Sequence, residues 1–287
     1  MILVTGATGT VGREVIKQLS AAGQRVRALA HSADKAGSLK EPNVEIVVGD
    51  FAKRETIRAA LSGTDKLFVV SPADRPATVA TLEGPIVDEA KRAGVRHIVK
   101  LSVIGCNIDN PINLGRWHRE VEKEIEASGI SWTFLRPNFF MASFAVYMGA
   151  TIRAEGAFYA PAGDGRISMI DPRDIAACAL AAFADSKHQA KAYDLTGPDA
   201  LCLTEAADTL SKAAGKTIKY VDLPSDAYRG ALLDAGLIPQ FVDAYIQFWD
   251  IVKAGYAAGV SSAVEQMIGK KPRSLNDWAC DNAASLR

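Results

Sequence analysis

Short apolar runs alternate along the first half of this chain with longer stretches whose apolar positions recur every three or four residues. Apolar runs without polar alternation predict strands buried on both faces, and the three-to-four spacing predicts helices laid over them. Ile2 to Val4 is the first such run, and Val11, Val15, Ile16 and Leu19 mark one face of the helix after it. Further strands are expected at 25–30, 44–48, 66–70, 96–103 and 131–135, with helices at about 53–61, 79–93 and 114–128. Gly94 and Gly129 stop the last two helices, as a residue suited to a left-handed C-cap should. Strand–helix alternation of this kind predicts an α/β fold, a Rossmann-type doubly wound parallel sheet.

After residue 136 the rhythm breaks. Short strands are expected at 158–160 and 167–170, a helix at 172–184 opened by Asp171 and Asp174, and a strand at 193–196 stopped by Gly197-Pro198. From 203 onward the pattern is mainly helical, with Thr204 expected to cap a helix to 214 and a strand at 217–221. Helices follow near 225–235, 240–254, 261–268 and 275–284. The expected organisation is a dinucleotide-binding domain of residues 1–136, joined by segments returning within 167–197. Residues 137–166 and 198–287 form a smaller, mainly helical C-terminal lobe that caps a substrate cleft.

Between the first strand and the first helix lies Gly6-Ala7-Thr8-Gly9-Thr10-Val11-Gly12. Gly6 allows a tight turn, Gly9 lets the backbone approach a pyrophosphate, and Gly12 lets the helix pack closely on the strand. The first N–H groups of the helix then point at the phosphates. The spacing is one residue wider at the front than the commonest fingerprint, but its place between strand and helix favours a dinucleotide site over an ordinary glycine-rich turn.

Other candidates fall where predicted strands end. His31, Ser32 and Lys35 follow the second strand, where an acidic residue would select NAD; no acid occurs there before Asp34, which favours NADP(H), with NAD(H) as the alternative. Asp50 and Phe51 end the third strand and are placed to meet an adenine, although Asp50 could equally cap the next helix. Val70, Ser71 and Pro72 border the crevice where strand order should reverse. In the fifth strand, alternation puts Lys100 and Ser102 on one face, and a lysine in a buried sheet points to the ligand end. His118 and Glu122 lie one turn apart on the following helix, a proton donor with an orienting carboxylate or simply a surface pair. Pro137, Asn138 and Phe139 follow the sixth strand. Phe139, Phe140, Phe144 and Tyr147 fall at helical spacing, first of all a core stripe and secondly the lining of a flat acceptor pocket.

Composition narrows the class. The 287 residues carry 33 basic and 33 acidic side chains, so nothing electrostatic favours nucleic acid or an anionic membrane. No apolar run is long enough for a membrane span. The first apolar run is already a strand, so no signal peptide is expected there. The four cysteines are far apart in sequence, which argues against a metal site or disulfide framework and for reduced thiols in the cytoplasm.

Several blocks together resemble the NmrA-like branch of the atypical short-chain dehydrogenases. They are G-A-T-G-T-V-G at 6–12, G-D-F at 49–51, S-G-I-S-W-T-F-L-R-P at 128–137, D-P-R-D-I-A at 171–176, L-T-G-P at 195–198 and G-K-K-P-R at 269–273. Within that branch the chain is most similar to bacterial NADPH-dependent quinone and triphenylmethane-dye reductases. The resemblance implies a Rossmann domain with a small helical lobe, NADP(H) in the cleft, and hydride transfer to a small unsaturated or aromatic acceptor. It places the nicotinamide near Ser71, Lys100 and the 136–139 loop, with His118 as donor to the acceptor and Glu122 behind it. Two departures stand out. Many relatives have arginine at the place of His31, and the Y-x-x-x-K pair of standard short-chain dehydrogenases is missing, with His118-Arg-Glu-Val-Glu122 at the matching place. The resemblance therefore also admits a sensor that binds NAD(P) without turnover. The expected partners are a small-molecule acceptor and, in a homodimer, a second copy of the chain.

Overall fold

The structure is a computed structural model that describes residues 1–37, 39–70, 79–109 and 111–287, without the side chains of Ala33 and Lys35. In chain order it runs β1 (Ile2–Val4), α1 (Thr10–Ala21), β2 (Val26–Ala30), α2 (Ala33–Ala36), β3 (Val44–Val48), α3 (Arg54–Leu61), β4 (Lys66–Val69), α4 (Val79–Arg92), β5 (His97–Leu101), α5 (Asn113–Ala127) and β6 (Ser131–Pro137). Then come α6 (Ser143–Val146), α7 (Gly149–Glu155), β7 (Ala157–Ala160), β8 (Arg166–Ile167), α8 (Pro172–Ala184), β9 (Lys191–Leu195), β10 (Leu201–Cys202), α9 (Leu203–Ala214) and β11 (Lys219–Asp222). Helices α10 (Ser225–Asp234), α11 (Pro239–Lys253), α12 (Ala263–Ile268), α13 (Leu275–Asp281) and α14 (Ala283–Leu286) complete it.

The chain divides into two compact units, residues 1–136 with 172–194, and residues 137–171 with 195–287. In the first, the apolar runs that permit burial on both faces become the middle of a sheet ordered β3-β2-β1-β4-β5-β6-β9. Neighbours from β3 through to β6 pair in parallel. This is an α/β, doubly wound Rossmann-type sheet, and the step from β1 outward to β4 is its point of strand-order reversal. All of β1 and β5 is buried, whereas β3 at the edge is half-exposed, with Ile46 and Val48 open to solvent. Helix α1 packs against α8, joined by Gln18 Nε2 donating to the Arg173 carbonyl at 2.9 Å, and α4 packs between α3 and α5.

The second unit has its own core, built on Phe144, Phe158, Ile167, Leu203, Leu210, Trp249 and Trp278. Two small sheets frame it, β7 with β11 in parallel and β8 with β10 antiparallel. Several expectations change here. The 139–147 aromatics do not share one helix, because the chain is extended at the Phe140–Ile170 bridge and turns helical only at Ser143. Phe144 is therefore buried while Tyr147 is exposed. The expected strand at 167–170 shortens to β8 and that bridge. Thr204 lies inside α9; Cys202 precedes the helix, and its N–H donates to the Glu205 carboxylate at 3.0 Å. The final helix breaks at Asn282 into α13 and α14.

One buried polar group makes the first unit acid-sensitive. His97 is buried beside Thr133, Nε2 to Oγ1 at 3.0 Å, and the Thr133 hydroxyl donates to the His188 carbonyl at 2.8 Å. That hydroxyl proton is committed, so His97 Nε2 must be the donor. Burial first, then the charges of Lys66 and His188, lowers its pKa to about 4 from 6.5. Because the folded pKa lies below the unfolded one, the contribution is complete above about pH 6.5 and is lost as pH falls toward 4, a difference of about 3 kcal/mol. Denaturant midpoints measured between pH 7 and 4 should fall in the parent more steeply than in His97→Gln, which keeps an N–H donor but cannot titrate. Among the described residues, no helix is long and apolar enough to cross a membrane.

Candidate functional site

In a parallel sheet every strand's C-terminal end lies along one edge, so the described residues that directly follow β1, β2, β3, β4 and β5 form one rim. The glycine-rich loop occupies the switch point. Gly6 takes the left-handed region, φ +55°, and a Cβ there would meet the Val70 side chain at 2.7 Å. Thr5 ties the same place together, its Oγ1 donating to the Val70 carbonyl and accepting from the Val70 N–H, both at 2.9 Å. Gly12 is buried, and a Cβ on it would lie 2.2 Å from the Gly6 carbonyl oxygen. Gly9 is different in kind. It is exposed, and among the described residues its Cβ would meet only that same oxygen within 4 Å, at 3.2 Å.

The loop is therefore locked from below by Gly6 and Gly12 and open above Gly9. No side chain caps α1, so its first N–H groups remain available to an anion. Ala7 is buried, while Thr8 and Thr10 are half-exposed beside Gly9 and Val11 points into the core. A cradle exposed at Gly9 over an uncapped helix start fits a pyrophosphate.

Along the rim, His31 is half-exposed after β2, its Nδ1 3.8 Å from Asp50 Oδ2 after β3. Asp50 also accepts from the Ala52 N–H at 3.0 Å; it shapes this turn and does not cap α3, which Lys53 precedes. Phe51 is buried beneath the turn. Ser32 precedes α2 without capping it. Ser71 and Pro72 lie outside the described residues, as does the side chain of Lys35.

Below the β5 end lies a polar cluster that the sequence only half revealed. Lys100 and Glu83 are wholly buried, with Nζ 2.5 Å from Glu83 Oε2. The same ammonium reaches the Leu101 carbonyl and His118 Nδ1, each at 3.2 Å. Burial, then the Lys100 charge, pushes the pKa of His118 well below its ordinary value, so this histidine is neutral at pH 7 and does not titrate near working pH as a free imidazole would. Glu83 carried no sequence signal of its own, since one glutamate in an amphipathic helix is unremarkable.

Glu122 does not orient His118. Its carboxylate turns inward and accepts from Arg136 Nε at 2.9 Å and Nη2 at 2.7 Å, from Ser102 Oγ at 2.7 Å, and from Arg119 Nη1 at 3.1 Å. Burial pushes its carboxyl up, but these hydrogen bonds and the Arg136 charge outweigh that and hold it below the usual range. Ser102 is thus buried with its hydroxyl committed to Glu122, and Lys100 is the contact partner of His118. Cys106 belongs to the same cluster, its Sγ 3.4 Å from Glu122 Oε1, and burial raises its thiol pKa to about 11, too high for a reactive thiolate.

In the second unit, Pro137 and Asn138 are buried. Asn138 donates to Ser168 Oγ and the Ala257 carbonyl, both at 2.9 Å, and its Oδ1 accepts from the Phe139 N–H at 2.8 Å. Phe139 is partly exposed, stacks on Phe248 with centroids 5.7 Å apart, and leans on Trp249. Asn138 is thereby a fastener of its own unit, and Phe139 offers a flat aromatic surface.

The chain is similar to known proteins over almost its whole length. A profile of the NmrA-like family matches residues 1–279. The NAD(P)H azoreductase of Xenophilus azovorans is 39% identical over 286 residues, covering 100% of this chain and 99% of its own. The NADPH-dependent quinone oxidoreductase of Escherichia coli, complexed with NADPH, superposes with a TM-score of 0.84 at 28% identity, covering 98% of this chain and 99% of its own. The triphenylmethane reductase of a Citrobacter species superposes with a TM-score of 0.83 at 26% identity, covering 98% of each chain.

Proposed function

The chain belongs to the NmrA-like family, and from that premise we propose that it is an NAD(P)H-dependent reductase. It prefers NADPH, with NADH as the alternative, and its acceptors are small unsaturated or aromatic molecules such as quinones and dyes. The observation that carries the reading is the loop at the switch point, open above Gly9 and locked beneath Gly12. Gly6 to Gly12 and the first turn of α1 would hold the pyrophosphate, and His31, with no acid at the end of β2, suits a 2′-phosphate. When bound, the dinucleotide supplies the hydride. The chain's own part is to hold a donor ready for the charge that an acceptor gains. Neutral His118 can give a hydrogen bond without first taking a proton from solvent.

Its place of action we propose to be the cytoplasm, supported by four cysteines that are all free. A small-molecule acceptor and a second copy of the chain are the proposed partners; the zero net charge supports neither nucleic acid nor a membrane.

Calorimetric titration with NADPH and then NADH, followed by quinone, azo-dye and triphenylmethane-dye panels read at the nicotinamide absorbance, tests the proposal. Tight NADPH binding with steady oxidation by one acceptor class is the expected result; binding without oxidation by any acceptor would replace the reductase by a sensor. In the same assay His118→Ala should lower kcat/KM for the acceptor by about 10- to 100-fold, leaving NADPH affinity unchanged. Full activity would remove His118 from the chemistry.

A further inference from the structure

A lysine ammonium has three N–H donors and no lone pair. Lys100 spends its three on Glu83 Oε2, the Leu101 carbonyl and His118 Nδ1. We propose that Glu83 is a positioning residue which, by keeping Lys100 charged, fixes His118 as the neutral imidazole whose single proton is on Nε2. The link is one of proton accounting. A charged Lys100 can only donate, so Nδ1 must offer its lone pair and the ring proton must sit on the opposite nitrogen. The ammonium can stay charged in a wholly buried place because the equally buried Glu83 carboxylate is its counter-charge at 2.5 Å.

Without that carboxylate the balance reverses. An unpaired buried lysine gives up its proton readily, and a neutral amine has a lone pair of its own. Nδ1 could then donate as well as accept, so the tautomer would no longer be fixed. Loss of the neighbouring positive charge would also let the imidazole protonate nearer its ordinary value. Among the described residues, the charge that bears on the ring is Lys100 from β5, with Glu83 behind it from α4; on α5, Glu122 one turn away gives its carboxylate to Arg136, Ser102 and Arg119. The consequence for turnover rests on the reductase reading; the tautomer does not.

The test is nitrogen-15 NMR of the histidine rings in the full chain, with His118 assigned by its loss in His118→Ala. The parent should show His118 protonated on Nε2 alone and unchanged from pH 8 to 5. A proton on Nδ1, or an imidazolium in that window, overturns the proposal whatever any variant does. Glu83→Gln should give mixed tautomers and a His118 titration between about pH 5 and 7, while Glu83→Asp, which retains the charge, should return the parent spectrum. An unchanged spectrum in Glu83→Gln overturns the role of Glu83. Should that variant not fold, Lys100→Met reads the same coupling, and a His118 that still neither titrates nor changes tautomer is equally fatal. In turnover, Glu83→Gln should lose about tenfold in acceptor kcat/KM and gain a pH dependence the parent lacks, with NADPH affinity unchanged. If no acceptor is reduced even by the parent, the reductase reading fails, and the parent spectrum still decides the tautomer.

Discussion

Gly9→Val should fold and fail to bind NADPH. The backbone at Gly9 is extended, φ −79° and ψ 170°, which valine adopts without strain. Among the described residues a Cβ there meets only the Gly6 carbonyl oxygen, at 3.2 Å, which asks for a small shift. The residue precedes α1, and exchanging glycine for valine at a helix start costs on the order of 1 kcal/mol. The two added methyl groups, however, project into the open space above the loop. A pyrophosphate could no longer approach the backbone N–H groups, and affinity should drop at least about 100-fold, roughly 3 kcal/mol. Gly12→Ala is the matched contrast. Its Cβ would lie 2.2 Å from a carbonyl oxygen and 2.9 Å from the carbonyl carbon, both backbone atoms that cannot swing aside. That variant should lose folded protein before it loses ligand. Calorimetry with NADPH and a thermal melt on both variants separates the two roles. Unchanged affinity in Gly9→Val would mean that the phosphate lies elsewhere.

The two glycines also show how far the sequence reaches. Loop position and spacing were legible, because a strand, three glycines and a helix leave few ways to connect them. The order of the parallel sheet follows from the same logic, since buried apolar strands separated by helices wind outward from the first one. Lys100 could be picked out because a charge in an apolar strand demands a reason. Its partner could not. Glu83 sits in a helix with four other charges, of which Asp88, Lys91 and Arg92 are exposed and Glu89 is buried against Arg58 and Arg92, and only the pair with Lys100 reveals that the Glu83 carboxylate points inward. The spacing of His118 and Glu122 suggested a pair along one helix face, yet Glu122 sits close enough to β6 for Arg136, fourteen residues on in the chain, to take both its oxygens. Bidentate pairing between a helix and the next strand leaves no periodic trace. The aromatic run from Phe139 to Tyr147 was legible only in part: Phe144 lies in the core and Phe139 packs against it, but Tyr147 is exposed, because periodicity assumes an unbroken helix and the bridge between Phe140 and Ile170 breaks it.

Arg136→Met should destabilise the first unit by about 3–5 kcal/mol at pH 7, because it strands a buried carboxylate and not because it removes a favourable pair. The Glu122 side chain is wholly buried, and Arg136 supplies two of its hydrogen bonds and a charge that burial alone would demand. Ser102 and Arg119 remain in the variant, which sets the expectation at the lower end of that range. Two further outcomes distinguish the cause. In Arg136→Met/Glu122→Met most of the loss should return, since two apolar side chains leave no charge to solvate. The loss should also depend on pH in a definite direction. The parent carboxyl is held below its unfolded value, so its contribution is present above about pH 4.5 and fades as pH falls through the folded value. In Arg136→Met burial is no longer opposed by that charge, the carboxyl rises above the unfolded value, and the variant gains stability as pH drops toward 4.5. The gap between parent and variant denaturation midpoints should therefore be widest at pH 7 and narrow on acidification. A gap that is constant with pH would show that Arg136 acts through the packing of its stem, and that Glu122 does not depend on its charge.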